Sequence, residues 1–197
     1  MSKRIFDWLA STGGLLVLAP LLVVLAVWIK LDSPGPVFFR QTRVGRLGKL
    51  FRIHKFRTMV TDAERLGLQI TVGADARVTR VGQWVRKKKL DELPQLLDVW
   101  LGHMSLVGPR PEVPRYVALY PADVRDLVLS VRPGITDKAS IEFKDENLIL
   151  GRADDPHLAY VEEVLPIKLK YYVEYVETNS LLGDIQLIFR TFVALIR

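Results

Sequence analysis

Asp91 and Glu92 stand side by side in Leu90-Asp91-Glu92-Leu93-Pro94-Gln95. Two adjacent carboxylates repel each other unless a cation lies nearby. Arg110 sits between Pro109 and Pro111, which limit the directions its side chain can take. A guanidinium held in this way suits bidentate binding of phosphate. Arg86, just before the acid pair, and Lys55, Arg57 and Arg132 are secondary candidates for anion binding, of a substrate phosphate or of lipid headgroups. Pro94 fits the first turn of a helix over Glu92–Trp100, which puts Asp91 at its N-terminal end, where peptide dipoles favour anions. Taken alone, the pair is also an ordinary acidic helix cap, and Arg110 an arginine on a surface turn.

The elements that must position these residues follow from composition and pattern. The chain has 197 residues, enough for one domain. Hydrophobic residues make up 49% and charged residues 25%, which excludes an intrinsically disordered chain and a polytopic membrane protein. The absence of cysteine excludes disulfide scaffolds, thiolate metal sites and cysteine nucleophiles, and fits a reducing compartment. The formal net charge is +6, but residues 1–60 hold ten Lys/Arg against Asp7 and Asp32, so this third is strongly basic and the rest slightly acidic. A basic surface beside an apolar anchor suits anionic lipid headgroups or a phosphorylated substrate; it is also what a solvated basic face looks like.

Trp8 to Ile29 contains no charged residue and is long enough to cross a bilayer. Trp28-Ile29-Lys30-Leu31 is a poor cleavage site, which argues against a removed signal peptide. Pro20, near the centre, removes one backbone hydrogen bond and should kink the helix. Both flanks are basic, and positive flanks favour the cytoplasmic side. These features fit either a kinked span or a helix that bends at Pro20 and leaves on the face it came from.

Asp32-Ser33-Pro34-Gly35-Pro36 ends this helix. Val37–Val44 and Leu50–Phe56 read as strands of a small hairpin around the turn 45–49, with a basic face. Thr61–Leu68 reads as a short helix. Lys87–Lys89 reads as a solvated or membrane-facing run. Pro114–Tyr120 and Ala122–Ser130 read as helices split by Pro121, and Arg132–Thr136 as a turn. His157–Val176 is a long helical pattern and Leu181–Ile196 an apolar, amphipathic tail. There is no internal repeat, and the fold class expected is α+β, mostly helical.

Six motifs in order make the chain resemble the bacterial sugar transferase family, the small monotopic phosphoglycosyl transferases. They are Lys3-Arg4-Ile5-Phe6-Asp7 with Pro20, Pro34-Gly35-Pro36-Val37-Phe38-Phe39-Arg40-Gln41 and Lys55-Phe56-Arg57-Thr58-Met59. The others are Leu90-Asp91-Glu92-Leu93-Pro94-Gln95-Leu96, Met104-Ser105-Leu106-Val107-Gly108-Pro109-Arg110-Pro111-Glu112 and Val131-Arg132-Pro133-Gly134-Ile135-Thr136.

The resemblance implies a membrane enzyme that moves a sugar-1-phosphate from a UDP-sugar to undecaprenyl phosphate, releasing UMP, as the first membrane step of surface glycan assembly. It implies a re-entrant membrane helix over residues 1–31, broken at the proline, and a catalytic domain over 32–197 at the cytoplasmic face of the bacterial inner membrane. The family breaks this helix at a Ser-Pro pair; Ala19-Pro20 stands here. Asp91 is then the expected nucleophile, forming an acyl phosphate that divides the reaction in two. Mg²⁺, bound jointly by Asp91 and Glu92, would neutralise charge and bridge the diphosphate, with Glu92 orienting Asp91. The Arg110–Pro111 turn is expected to hold the nucleotide phosphate and uridine.

Two stretches depart from the family pattern. His103 stands where an acid is usual, and a structural role is expected for it. Asp137-Lys138-Ala139-Ser140 and the residues through Asn147 replace the usual sequence, with Lys144 and Asn147 as candidate sugar or phosphate contacts. The sugar therefore stays open, as do the glycan pathway and a homodimer. The alternatives are an ordinary glycosyl transferase, which would release UDP, and a non-catalytic basic module binding membrane or nucleic acid. Nothing in the chain resembles a base-reading motif.

Overall fold

The computed structural model describes residues 2–63, 75–143 and 146–196. The chain begins with one long helix, α1 (Ser2–Asp32), which contains Pro20. The buried residues of α1 lie on one face, near its two ends. Asp7, Ser11, Leu25 and Ile29 are buried, while Leu16, Val17, Val23, Val24, Val27 and Leu31 are exposed.

Four short strands follow: β1 (Phe38–Phe39), β2 (Thr42–Val44), β3 (Leu50–Arg52) and β4 (Lys55–Phe56). β2 pairs with β3 and β1 with β4, both antiparallel. Ile53 N–H donates to Gln41 C=O at 3.1 Å between the two ladders, so one register runs through both. This is the expected hairpin, interrupted where Arg40 and His54 turn their side chains to each other. Its tip is a 3₁₀ turn, Arg46–Gly48.

α2 (Arg80–Lys87) is capped by Thr79, whose hydroxyl accepts from the Gly82 N–H at 3.0 Å. A 3₁₀ turn, Leu90–Glu92, leads into α3 (Gln95–Leu101). The helix thus starts later than the sequence predicts, and Asp91 and Glu92 lie in the turn before it. Pro94 has no N–H to give the Leu90 carbonyl, so the α ladder cannot pass through it. The chain instead makes the tighter bonds Leu93 to Leu90 and Leu97 to Pro94.

β5 (Ser105–Val107) and β6 (Gly134–Thr136) form a parallel pair. Residues 132–136 are predicted as a turn, and the strand is the correction. A parallel partner is distant in sequence and leaves no local pattern. Between these strands lie α4 (Pro114–Val117) and α5 (Ala122–Val128). After them come α6 (Lys138–Glu142), α7 (Glu146–Arg152), α8 (Pro156–Ala159), α9 (Leu165–Thr178) and α10 (Leu181–Ile196). The long helix expected over 157–176 is α8 and α9 joined by a π turn, Tyr160–Val164. Of the helix expected over 61–68, Thr61–Ala63 form a turn and the rest lies outside the described residues.

The main core packs Val113, Tyr116, Val117, Tyr120 and Val128 against Leu150, Tyr160, Leu165, Leu169 and Tyr172. A second cluster joins the end of α1, through Leu25 and Ile29, to Phe56, Val81 and Val85. The other end of α1 is tied by polar groups. Asp7 Oδ1 accepts from Ser105 Oγ and from the Leu106 N–H, both at 3.1 Å. Lys3 pairs with Asp184 of α10 and donates to the Val107 carbonyl at 3.1 Å.

Candidate active site

The acid pair and its cations come from three elements. Lys89 has left-handed backbone (φ 54°, ψ 22°), which reverses the chain after α2 and turns Asp91 inward. Asp91 is 3% exposed. Its Oδ2 receives the Lys55 ammonium of β4 at 2.9 Å. Its Oδ1 is buried and has no hydrogen-bond partner among the described residues.

Lys55 also donates to Glu92 Oε1 at 3.2 Å, so one ammonium spans both carboxylates. Arg110 Nη1 donates to Glu92 Oε2 at 3.1 Å, and Nη2 donates to Oε1. This is a bidentate pair that uses two of the five guanidinium N–H groups and leaves three for a ligand. Burial alone would raise the Glu92 carboxyl, but Arg110 and then Lys55 overcome it and hold it well below the usual carboxylate range. In turn, Glu92 raises Arg110 well above an ordinary guanidinium.

The β5–β6 pair aims Arg110. Gly108 N–H donates to Thr136 C=O at 3.1 Å and Gly134 N–H to Pro109 C=O at 2.9 Å. The two backbones approach so closely that a Cβ on Gly134 would lie 2.1 Å from Gly108 N. Glycine is therefore required there for space. Pro111 is buried, and its carbonyl accepts from Arg43 at 3.0 Å.

The remaining expected residues fall in two groups. Arg86 of α2 joins the site: its Nε donates to Thr58 Oγ1 at 2.6 Å. Burial lowers its guanidinium, and the Asp91 charge is the first influence opposing that. Arg57 and Arg132 are engaged elsewhere. Arg57 donates to the Ser33 and Pro34 carbonyls and clasps the chain leaving α1, while Arg132 donates to Gly102 C=O at 2.9 Å. His103 faces Asp98 and packs on Phe51. Lys144 and the side chain of Asn147 lie outside the described residues.

Sequence reasoning missed the buried polar layer behind Arg110. Arg43 lies 3.8 Å from Glu112 Oε2, and Tyr160 donates to Glu112 Oε1. Asp137, just past β6, caps α6 through the Ser140 N–H at 2.6 Å. Burial pushes its carboxyl up, against those hydrogen bonds and the Arg110 charge. Glu112 directly follows the Arg110–Pro111 turn, which was the one available signal. The others come from β2 (Arg43), the residue just past β6 (Asp137) and the turn between α8 and α9 (Tyr160), all distant from Arg110 in sequence.

Among the described residues no group of three His, Cys, Asp or Glu side chains is arranged to hold a metal ion. Mg²⁺ does not require one, since it takes one or two carboxylates and completes its shell with water and substrate phosphate oxygens. Asp91 Oδ1 is a hard, buried, open oxygen and fits such a role. Both Glu92 oxygens are already on Arg110 and Lys55.

These features describe a class: a small α+β domain on a long apolar helix, with a half-buried to buried carboxylate pair beside the cations Lys55 and Arg110. The chain belongs to the bacterial sugar transferase family, whose model matches residues 1–197. It is 39% identical to a UDP-N-acetylgalactosamine-undecaprenyl-phosphate N-acetylgalactosaminephosphotransferase of Aeromonas hydrophila, over 96% of this chain and 42% of that protein. It is 38% identical to the UDP-glucose:undecaprenyl-phosphate glucose-1-phosphate transferase of Escherichia coli K12, over 96% of this chain and 39% of that one. An exopolysaccharide production protein of Rhizobium leguminosarum bv. phaseoli is 41% identical, over 98% of this chain and 94% of its own length. The chain thus spans about two-fifths of the first two relatives and nearly all of the third.

Proposed function

We propose that this chain transfers a sugar-1-phosphate from a UDP-sugar to undecaprenyl phosphate through a covalent intermediate on Asp91. The observation that carries this is the asymmetry of the Asp91 carboxylate, with Oδ2 held by Lys55 and Oδ1 buried and open. An anchored carboxylate with one free oxygen is oriented for attack. Oδ1 attacks the β-phosphorus, the bond from that phosphorus to the bridging oxygen breaks, and UMP departs with the bridging oxygen. An ionised oxygen of undecaprenyl phosphate then attacks the same phosphorus, the bond to Asp91 breaks, and the carboxylate is restored. Products are UMP and undecaprenyl-diphosphate-sugar. Arg110 offers its remaining N–H groups to the diphosphate, and Glu92 keeps the guanidinium aimed. Mg²⁺ would supply charge neutralisation there, with the Asp91 carboxylate the residue able to hold it.

The membrane setting has its own support. α1 is long and apolar enough to cross a bilayer, and at 31 residues it measures about 46 Å. Yet both of its ends bind the same domain: Lys3 and Asp7 at β5 and α10, Asp32 at the Val81 N–H. A span that crossed would carry one end away to the far leaflet, so these contacts favour a re-entrant helix, with the domain at the cytoplasmic face. The exposed face of α10 carries Leu182, Ile185, Phe189 and Phe192. All four tryptophans, Trp8, Trp28, Trp84 and Trp100, are about half exposed, as residues at a headgroup boundary are. Phospholipid is the partner that this surface suits.

The test is nucleotide release from UDP-N-acetylgalactosamine and UDP-glucose with undecaprenyl phosphate and Mg²⁺. UMP is expected, together with a phospho-sugar adduct in the intact mass that Asp91→Ala abolishes. UDP in place of UMP refutes the reaction class; undiminished UMP release by Asp91→Ala refutes the nucleophile.

A further inference from the structure

Lys55 touches both carboxylates, yet its own strand is too short to fix it. β4 is two residues long and, among the described residues, is held on one side, by the two residues of β1 and by the flanking Ile53–Gln41 and Arg57–Val37 backbone bonds, and a two-stranded hairpin is marginal by itself. The fixed point lies one residue earlier. Asp98 of α3 is fully buried and gives both carboxylate oxygens to His54. Oδ2 accepts the His54 backbone N–H at 2.7 Å, and Oδ1 accepts Nδ1–H at 2.7 Å. On the far side of the ring, His54 Nε2 lies 2.6 Å from Arg40 Nη1. A guanidinium can only donate and a carboxylate only accept, so this network assigns a neutral imidazole with its proton on Nδ1. Phe38 packs edge-on against the ring with centroids 6.0 Å apart. His103 Nδ1 stands 3.9 Å from the same Asp98 oxygen.

Asp98 sits on the helix into which the Asp91–Glu92 turn leads. The clasp therefore ties the backbone just before Lys55 to the helix just after the acid pair, across 44 residues of sequence. We infer that Asp98 and His54 are positioning residues for the reaction proposed above. Their clasp sets the Lys55 ammonium between Asp91 and Glu92, which keeps Asp91 Oδ2 anchored and Oδ1 free. Without it, β4 keeps its register but is held from the hairpin side alone, and Lys55 drifts from its place between the two carboxylates. Arg110 is held from the β5–β6 side and does not depend on the clasp. The damage therefore falls on the chemical step and spares donor binding.

The test is a double-mutant cycle on the full chain, reading UMP release from UDP-N-acetylgalactosamine or UDP-glucose. Asp98→Ala is expected to lower kcat by about 10- to 100-fold, with KM within about threefold of wild type. In a Lys55→Met background the same substitution should cost no more than about twofold, because its target is already gone. Equal losses in both backgrounds, or a change in KM alone, overturn the inference, since a merely structural role is blind to Lys55. His54→Gln repeats the cycle and serves if Asp98→Ala does not fold. A second readout is independent of activity: acetylation of Lys55 by a succinimidyl ester, followed by peptide mass spectrometry. Its rate should rise roughly threefold or more in His54→Gln, with Lys170 unchanged; an unaltered Lys55 rate overturns the inference. A wild-type chain that releases no UMP while His54→Gln still exposes Lys55 refutes the reaction and leaves the clasp standing.

Discussion

Replacing Arg110 by methionine removes the guanidinium from the site while keeping much of the side-chain volume. At the 3.1 Å separation of Arg110 and Glu92, unit charges in a medium of effective dielectric about 20 attract by about 5 kcal/mol. Desolvation cancels much of that. Breaking a fully buried pair costs about 3–5 kcal/mol, and an exposed pair about 0–1 kcal/mol. The two side chains are 31% and 17% exposed, between these limits, and the expected cost is about 2 kcal/mol. For a chain of this size that lowers Tm by about 4–8 °C.

The loss should depend on pH in a definite direction. Burial raises the Glu92 carboxyl, but Arg110 and Lys55 outweigh it and hold it well below 4.5 in the folded protein. A carboxyl depressed by folding stabilises the protein above its unfolded value and loses that contribution as pH falls through the folded one. Arg110→Met removes the strongest opposing charge, and the acid-side loss goes with it. The Tm gap between wild type and variant should be widest at about pH 7 and close below about pH 4.5. Thermal scans in detergent micelles, followed by circular dichroism, measure it. A gap of equal size at about pH 7 and about pH 3.5 would refute the Arg110–Glu92 pair as its source.

Asp7→Ala should cost about 2–4 kcal/mol by leaving Ser105 Oγ and the Leu106 N–H without their acceptor; thermal unfolding reads this, and a loss below about 0.5 kcal/mol contradicts it. Gly134→Ala places a Cβ 2.1 Å from Gly108 N and 2.5 Å from Gly108 O, backbone against backbone. The strands must part, so folded yield and UMP release should both fall, by about 3 kcal/mol or more in stability. Gly13→Ala is the control, since its Cβ would meet nothing within 4 Å; a loss there comparable to that of Gly134→Ala would discredit the steric account.

Much of the architecture was legible because it is written locally. The apolar run of α1, the hairpin around residues 45–49 and the amphipathic pattern of α10 each follow from residues near in sequence. Pro94 was read correctly as a helix-start signal, but its missing N–H shifts the start and leaves Asp91 in a tight turn. The β5–β6 pair was not legible. Its requirement is two glycines from distant segments, Gly108 and Gly134, meeting backbone to backbone, and a glycine in sequence does not say what it approaches.

Residue types alone show which groups carry charge and where reactive types cluster: the acid pair, the proline-flanked Arg110 and the basic first third. Residue type sets what a group can do, and that needs no fold. Tertiary structure decided which of several basic residues reach the pair. Lys55 and Arg110 close on Glu92, Arg86 stands by, and Arg57 and Arg132 are engaged on carbonyls elsewhere. It also decided that Asp91 keeps one oxygen open, through the left-handed Lys89 and the Asp98–His54 clasp. Charge attraction falls off over a few ångströms, and only the packed chain sets distances on that scale.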